Sequence, residues 1–254
     1  MKFRTIIVHA ALLLVVCSCR LISAADNNNS TAAVSITDFG AVGDGVADDT
    51  SAVQKAVDAA LATSGSATPA ALVIPPGQYL LTSSITVDVG GSQVGFQIRG
   101  FGKASRLLWS FDGDCFVIGR EGNGSPSGID VRDLAIASVS GDKSSSSTAL
   151  KFPAGVAKSL ISNVFLDGQA GNLPGGLASG LVGSGFDLGT VTDTVTVENC
   201  VLWFICGTGV KIGHGSEVRV IGGRIIGGAQ DYRGYGDDNI GVHVTGDVSM
   251  LVGR

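Results

Sequence analysis

The chain has 254 residues, 44% hydrophobic and only 15% charged, with 38 glycines and a formal net charge of −5. So little charge and so much glycine exclude a coiled coil, a helical bundle and a charged disordered chain. A pI near 5.1 and the lack of any Lys/Arg-rich run argue against a nucleic-acid partner.

Lys2 and Arg4 precede an apolar run of eleven residues, Ile6 to Val16, followed by the small residues Ser23, Ala24 and Ala25. That order is the pattern of a secretory signal peptide, and the run is too short to cross ~30 Å of hydrocarbon as a helix. The expectation is a secreted, extracellular protein with no membrane span: residues 1–25 as signal peptide, 26–34 as a polar leader and 35–254 as one domain. Loss of the leader removes Lys2, Arg4 and Arg20, leaving 14 basic against 22 acidic side chains, a net charge of −8. Cys17 and Cys19 leave with it. The remaining Cys115, Cys200 and Cys206 allow at most one disulfide, so buried thiols are expected rather than a disulfide framework. Asn28, Asn29 and Asn123 each begin an N-x-[ST] sequon and are glycosylation candidates.

Alternation over Ser35–Phe39 predicts a short strand, and Gly43-Asp44-Gly45 predicts a turn. Asp48, Asp49 or Thr50 can N-cap the next segment, Ser51–Ala62, where Val53, Val57 and Leu61 recur at helical spacing. Beyond residue 70 the pattern becomes one of short strands broken by Gly, Ser or Asp: Ala71–Ile74, Gln78–Leu81, Ile85–Val89, Gly95–Gly100 and Arg106–Trp109. From residue 129 the segments repeat. Val131–Ile136, Ile161–Leu166, Val197–Leu202 and Val220–Ile225 align, with Asp133, Asn163, Asn199 and Gly222 at their third position. Asx and Gly tolerate the left-handed backbone of a corner, and asparagines at equivalent corners can hydrogen-bond along a stack.

An irregular repeat of this length predicts an all-β fold, a right-handed parallel β-helix (solenoid) with the Ser51–Ala62 helix as its N-terminal cap. Gly141–Ser147 and Gly168–Gly185 read as looped-out insertions. A two-sheet sandwich is the competing architecture, with Asp112-Gly113 and Asp167-Gly168 as its hairpin turns. Val248 and Met250 match Val218 and Val220 with nothing polar or helical after them. The domain is therefore expected to be truncated within the solenoid, or to need a partner there.

The stretch Ile36-Thr37-Asp38-Phe39-Gly40-Ala41-Val42-Gly43-Asp44-Gly45-Val46-Ala47-Asp48-Asp49-Thr50, followed by a helix with Gln54 and Ala60, resembles the N-terminal signature of the pectate-lyase superfamily. It is most similar to the branch of rhamnogalacturonase/epimerase-like proteins, exo-glucanases and phage tailspikes. Pro75-Pro76-Gly77-Gln78-Tyr79 resembles the family's first coil, and Gly209–Gly227 with Asn239–Val244 resembles later coils. The resemblance implies a right-handed parallel β-helix that acts on, or binds, polysaccharide.

Candidate chemistry lies late in the chain. Asp44, Asp48 and Asp49 could bind Ca²⁺ but read better as turn and cap carboxylates. Asp237 and Asp238 are the candidate catalytic pair, because hydrolysis of a glycosidic bond needs one carboxyl as acid and another as base or nucleophile. Adjacent strand residues face opposite ways, so both could serve only from a loop or bend. His214, within Gly213-His214-Gly215, matches a short element of polygalacturonases and is the supporting candidate. The order of these elements is reversed here, and no Asn-Thr-Asp or Arg-Ile-Lys motif is present. Lys211, Arg219 and Arg224 read as an outward basic row able to bind uronate carboxylates, with Tyr235 stacking on sugar. A hydrolase of pectin-like polyuronate needs no metal or cofactor. The alternatives are a polysaccharide lyase, which would need Ca²⁺, and a non-catalytic carbohydrate-binding or structural β-helix. In each case the partner is a polysaccharide, acidic for the hydrolase.

Overall fold

The computed structural model describes residues 33–63, 69–90, 94–227, 241–246 and 248–252. Strands are numbered along the chain. They form two sheets, of thirteen and six strands.

The larger sheet carries two parallel ladders. The first comprises β1 (Ala33–Ser35), β3 (Ala70–Val73), β6 (Val94–Arg99), the first half of β9 (Ser127–Ser138), the first half of β11 (Ser159–Asp167), β13 (Val195–Glu198), β16 (Gly215–Ile221) and β19 (Val248–Val252). The second comprises β2 (Asp44–Asp48), β4 (Gly77–Leu81), β7 (Ser105–Trp109), the second halves of β9 and β11, β14 (Val201–Ile205) and β17 (Arg224–Gly227). The smaller sheet stacks β5 (Ile85–Val87), β8 (Phe116–Ile118), β10 (Thr148–Lys151), β12 (Ser184–Asp187), β15 (Val210–Ile212) and β18 (Val242–Val244). Each turn of the chain thus adds a strand to each ladder in order, and every pairing between named strands is parallel. That pattern removes the sandwich, whose hairpins would pair neighbours antiparallel. Asp112-Gly113 and Asp167-Gly168 join successive coils instead.

The corner between the two ladders is where the repeat predicts it. Asp133, Asn163, Asn199 and Gly222 have φ of 57°, 52°, 52° and 62°. The Asn163 amide donates to Asp133 Oδ1 at 2.9 Å, a bond along the stack. Between the sheets, inward residues such as Phe96, Trp109, Ile136, Leu166, Phe186 and Val210 are buried to 1% exposure or less. The cysteines form no disulfide and all three are buried. Burial pushes the Cys200 thiol up to about 12.

Helix α1 (Thr50–Thr63) buries Val53, Ala56, Val57 and Ala60, packing on β1, β3 and β5. Leu61 is partly buried against the same core. Asp48 caps the helix by accepting the Thr50 N–H at 3.0 Å. Among the described residues no helix is long and apolar enough to cross a membrane.

Three local expectations change. Ser35–Phe39 is not a strand: pairing ends at Ser35 and Ile36–Phe39 forms a 3-10 turn. The turn drops Ile36 into the core and leaves Thr37, Asp38 and Phe39 all exposed, which a period of two could not do. Gly43–Gly45 begins β2, which pairs with β4 only at Asp44–Gln78 and Asp48–Leu80 around a bulge. In the last coil Val218 pairs with Met250 and Val220 with Val252, two residues beyond the predicted alignment.

The insertion after Asp167 is not simply looped out. Ala170, Leu173 and Leu177 pack on Leu80, Leu108, Ala137 and Val139, making a second small core on the outer face of the second ladder. Arg106 ties this strap down by bonds to Asp167 Oδ2 at 2.9 Å and the Gly171 carbonyl at 3.3 Å.

Candidate functional site

The smaller sheet is buried on one side only. Its outward positions stand in register as Thr86, Val117, Lys151, Asp187, Lys211 and His243. Their strand neighbours, among them Phe116, Leu150, Phe186 and Ile212, are buried, so alternation alone sends the polar set outward. With about 4.8 Å between strands, charged groups on successive coils are within reach of one another. The Lys151 ammonium pairs with Asp114 at 2.8 Å and the Lys211 ammonium with Asp187 at 3.2 Å. The face therefore reads Asp114, Lys151, Asp187, Lys211, His243: carboxylates and cations in alternation, ending in an imidazole.

Asp114 is fixed where the chain enters this sheet, its Oδ1 accepting the Thr148 N–H at 3.0 Å. Lys211 is exposed on β15. His214 follows in the turn that leaves the sheet, also exposed. Its carbonyl accepts the Val191 N–H at 2.6 Å. Its ring lies against Gly246 of the next coil, where a Cβ would come within 2.2 Å of Nδ1. The same Cβ would come within 2.6 Å of the Gly213 carbonyl oxygen, so it is the backbone that calls for glycine there.

Arg219 and Arg224 do not join this face, so the three cations make no single row. They belong to one coil but to three of its sides. Arg219 points out from the first ladder of the larger sheet, paired with Glu217. It lines a groove of about 480 Å³ with Lys158, Thr194, Thr196 and Glu198. In that groove the Thr194 N–H, and then Lys158, hold the exposed Asp193 carboxyl below its usual range. Arg224 lies beyond the Gly222-Gly223 corner, exposed on the second ladder. Neighbours in sequence diverge because the corner turns the chain between them.

Tyr235, Asp237 and Asp238 lie outside the described residues, as do Asn28 and Asn29. In sequence Asp238 precedes β18 by four residues. Asn123 is exposed in a turn between Gly122 and Gly124. The early aspartates act on backbone: Asp44 Oδ1 accepts the Val46 and Ala47 N–H groups, both at 2.8 Å. Asp49 accepts those of Val42 and Gly43 at 2.6 and 3.2 Å. Sequence reasoning missed Asp114, Lys151, Asp187 and His243. Each is a lone polar residue beside or within an apolar strand, and only the parallel register stacks them.

The stacked parallel coils define a β-helix-like architecture with one outward charged face. Residues 33–108 match the family described as rhamnogalacturonase A/epimerase, pectate lyase-like. Comparison with curated proteins finds no match. Among solved structures, the chain resembles ORF18 of Geobacillus virus E2, with TM-score 0.54 and 17% identity over 87% of this chain and 47% of that one. It also aligns with a putative glycosyl hydrolase from Parabacteroides merdae, at TM-score 0.49 and 14% identity over 87% and 95% of the two chains. A third alignment is with PfbA, a surface adhesin of Streptococcus pneumoniae, at TM-score 0.38 and 16% identity over 84% and 66%. The chain spans about half the length of the phage protein. The family match supports a pectate-lyase-like assignment for residues 33–108, and the likeness to the phage protein supports the fold of the chain.

Proposed function

We propose that the chain is an exported polysaccharide-acting protein, a glycoside hydrolase of a pectin-like polyuronate, built as a right-handed coil closed at its N-terminal end by α1. The observation that carries this reading is the outward ladder of Lys151, Asp187, Lys211 and His243 on consecutive coils, with Asp114 paired to Lys151 from the turn before β8. Ammonium groups repeated along one face suit a polymer that repeats a carboxylate. In this reading Lys211 holds a uronate carboxylate and Tyr235 is a further substrate contact, whereas Arg219 and Arg224, on other sides of the coil, do not reach a chain bound on this face. Asp237 and Asp238 supply the acid and base, and His214 supports them from the edge of the same sheet. The family match to a rhamnogalacturonase-type domain supports the substrate class.

A Ca²⁺-dependent lyase fits the described face less well. A hard cation needs several free carboxylate or carbonyl oxygens, and Asp114 and Asp187 are each held by a lysine. The same ion pairs favour a second reading, a coil that binds polysaccharide without cleaving it.

The test is an assay of the secreted protein on polygalacturonate, following reducing ends and the ultraviolet absorbance of unsaturated uronate, with and without Ca²⁺. Reducing ends without absorbance, lost in both Asp237→Asn and Asp238→Asn, are the expected result. Activity intact in both variants overturns the catalytic assignment. Absorbance that depends on Ca²⁺ replaces hydrolysis with elimination, and binding without either signal selects the second reading.

A further inference from the structure

The outer face of the second ladder divides in two. Its early half is covered by the strap on Leu80, Leu108 and Ala137. Its later half presents Trp203 and Phe204, both partly exposed, with Phe165 buried beside them at 7% exposure, and among the described residues no strap covers it. The rings of Phe165 and Trp203 meet edge-on at 5.3 Å, and those of Trp203 and Phe204 at 6.4 Å.

Two adjacent strand residues should point to opposite faces. Trp203 and Phe204 are both partly exposed, whereas Leu202 and Ile205 are buried. The backbone makes the exception: Phe204 has φ of 55°, and the β14–β17 register shifts between Trp203 and Ile205. A bulky aromatic in the left-handed region is strained, and such strain with a bulge is the device that re-aims side chains at binding sites. Gly168 accommodates it, since a Cβ there would come within 2.5 Å of the Phe204 carbonyl oxygen.

Over these rings sits a cation. Lys103, exposed at the corner between β6 and β7, places Nζ 3.6 Å from the Phe165 ring centroid and 5.7 Å from that of Trp203. Neither Lys103 nor Arg224, which pairs in register with Val201 beside Trp203, has a carboxylate partner among the described residues. The carboxylate on this face, Asp167, is already bound by Arg106. The Trp203 Nε1–H is buried with no acceptor.

We infer that Trp203, Phe204 and Lys103, with the buried Phe165 ring as their support, form a second polysaccharide site, on a different sheet from the Lys211 face, that takes an anionic sugar chain. An aromatic platform stacks the apolar face of a pyranose ring, and the unpaired ammonium supplies the counter-charge for its carboxylate. This rests on the proposed polysaccharide partner and deepens it: the site would hold the polymer without cleaving it.

The experiment is a titration of the full chain with polygalacturonate oligomers and with neutral galactan oligomers, read by tryptophan fluorescence and by calorimetry. Trp109 is fully buried, so a fluorescence change reports on Trp203. Lys103→Ala, at an exposed position, should weaken polygalacturonate binding about tenfold, leave galactan unchanged and leave the melting temperature in place. Trp203→Ala should weaken binding of both sugars, while Lys211→Ala should leave the fluorescence response intact. Polygalacturonate binding lost in Lys211→Ala but untouched in Lys103→Ala and Trp203→Ala overturns the second site and leaves the proposed function standing. Absence of binding to either oligomer in the unmodified chain overturns both.

Discussion

Asp133, Asn163 and Asn199 show how far single residues can be read. Each holds a left-handed corner at φ between 52° and 57°, and Asx is the residue type that does so with least strain. The corner was legible because its cause is local. Asp112 was not, because its partners lie more than thirty positions away. Its carboxylate accepts the Ser147 hydroxyl at 2.6 Å and the Ser144 N–H at 2.9 Å. These bonds, the Ser147 hydroxyl foremost, hold it below the ordinary value of 3.8. A carboxyl lowered by folding contributes stability above its unfolded pKa and loses it as pH falls through the folded value. Ser147→Ala should therefore destabilise by up to about 1 kcal/mol at neutral pH, less whatever solvent screens at the exposed carboxylate. The deficit should shrink in acid, below both pKa values. Urea midpoints of the two proteins at neutral and acid pH measure it.

At the scale of elements, the helix and most strands follow from periodicity, whereas the strap over the second ladder does not. Leu80 and Leu108 are apolar at positions that face outward, and alternation alone gives them no cover. Their cover is Leu173 and Leu177, more than sixty residues further on. Leu108 has no exposed surface, and truncating such a residue leaves a cavity. Leu108→Ala should cost about 2–3 kcal/mol and loosen the strap, so that limited proteolysis cuts first between residues 168 and 182. Cleavage at an unchanged rate and position would mean that Arg106 and Asp167 hold the strap by themselves.

In the whole molecule each coil pairs its strands only with the coils before and after it, the strap after Asp167 being the longer-range contact, so stability is largely a sum over neighbours. The coils built on β9 and β11 have partners on both sides along both ladders. Hydrogen exchange should be slowest there and quicken toward β18 and β19. Mass-spectrometric exchange on peptic fragments tests this, and uniform protection from β3 to β19 would show that the stack opens only as one unit. The sequence by itself determined the parallel coils, the Asx corner, the amphipathic helix and the expectation of a polysaccharide partner, because each depends on local backbone preference or on a short contiguous signature. Only the tertiary structure decided which side chains share a face. Lys211, Arg219 and Arg224 lie within fourteen residues of one another, yet two corners send them to three sides. Lys151, Asp187, Lys211 and His243 are scattered over more than ninety residues, yet parallel register stacks them into one ladder. Register is set by how coils pack, and packing is a property of the assembled core rather than of any segment.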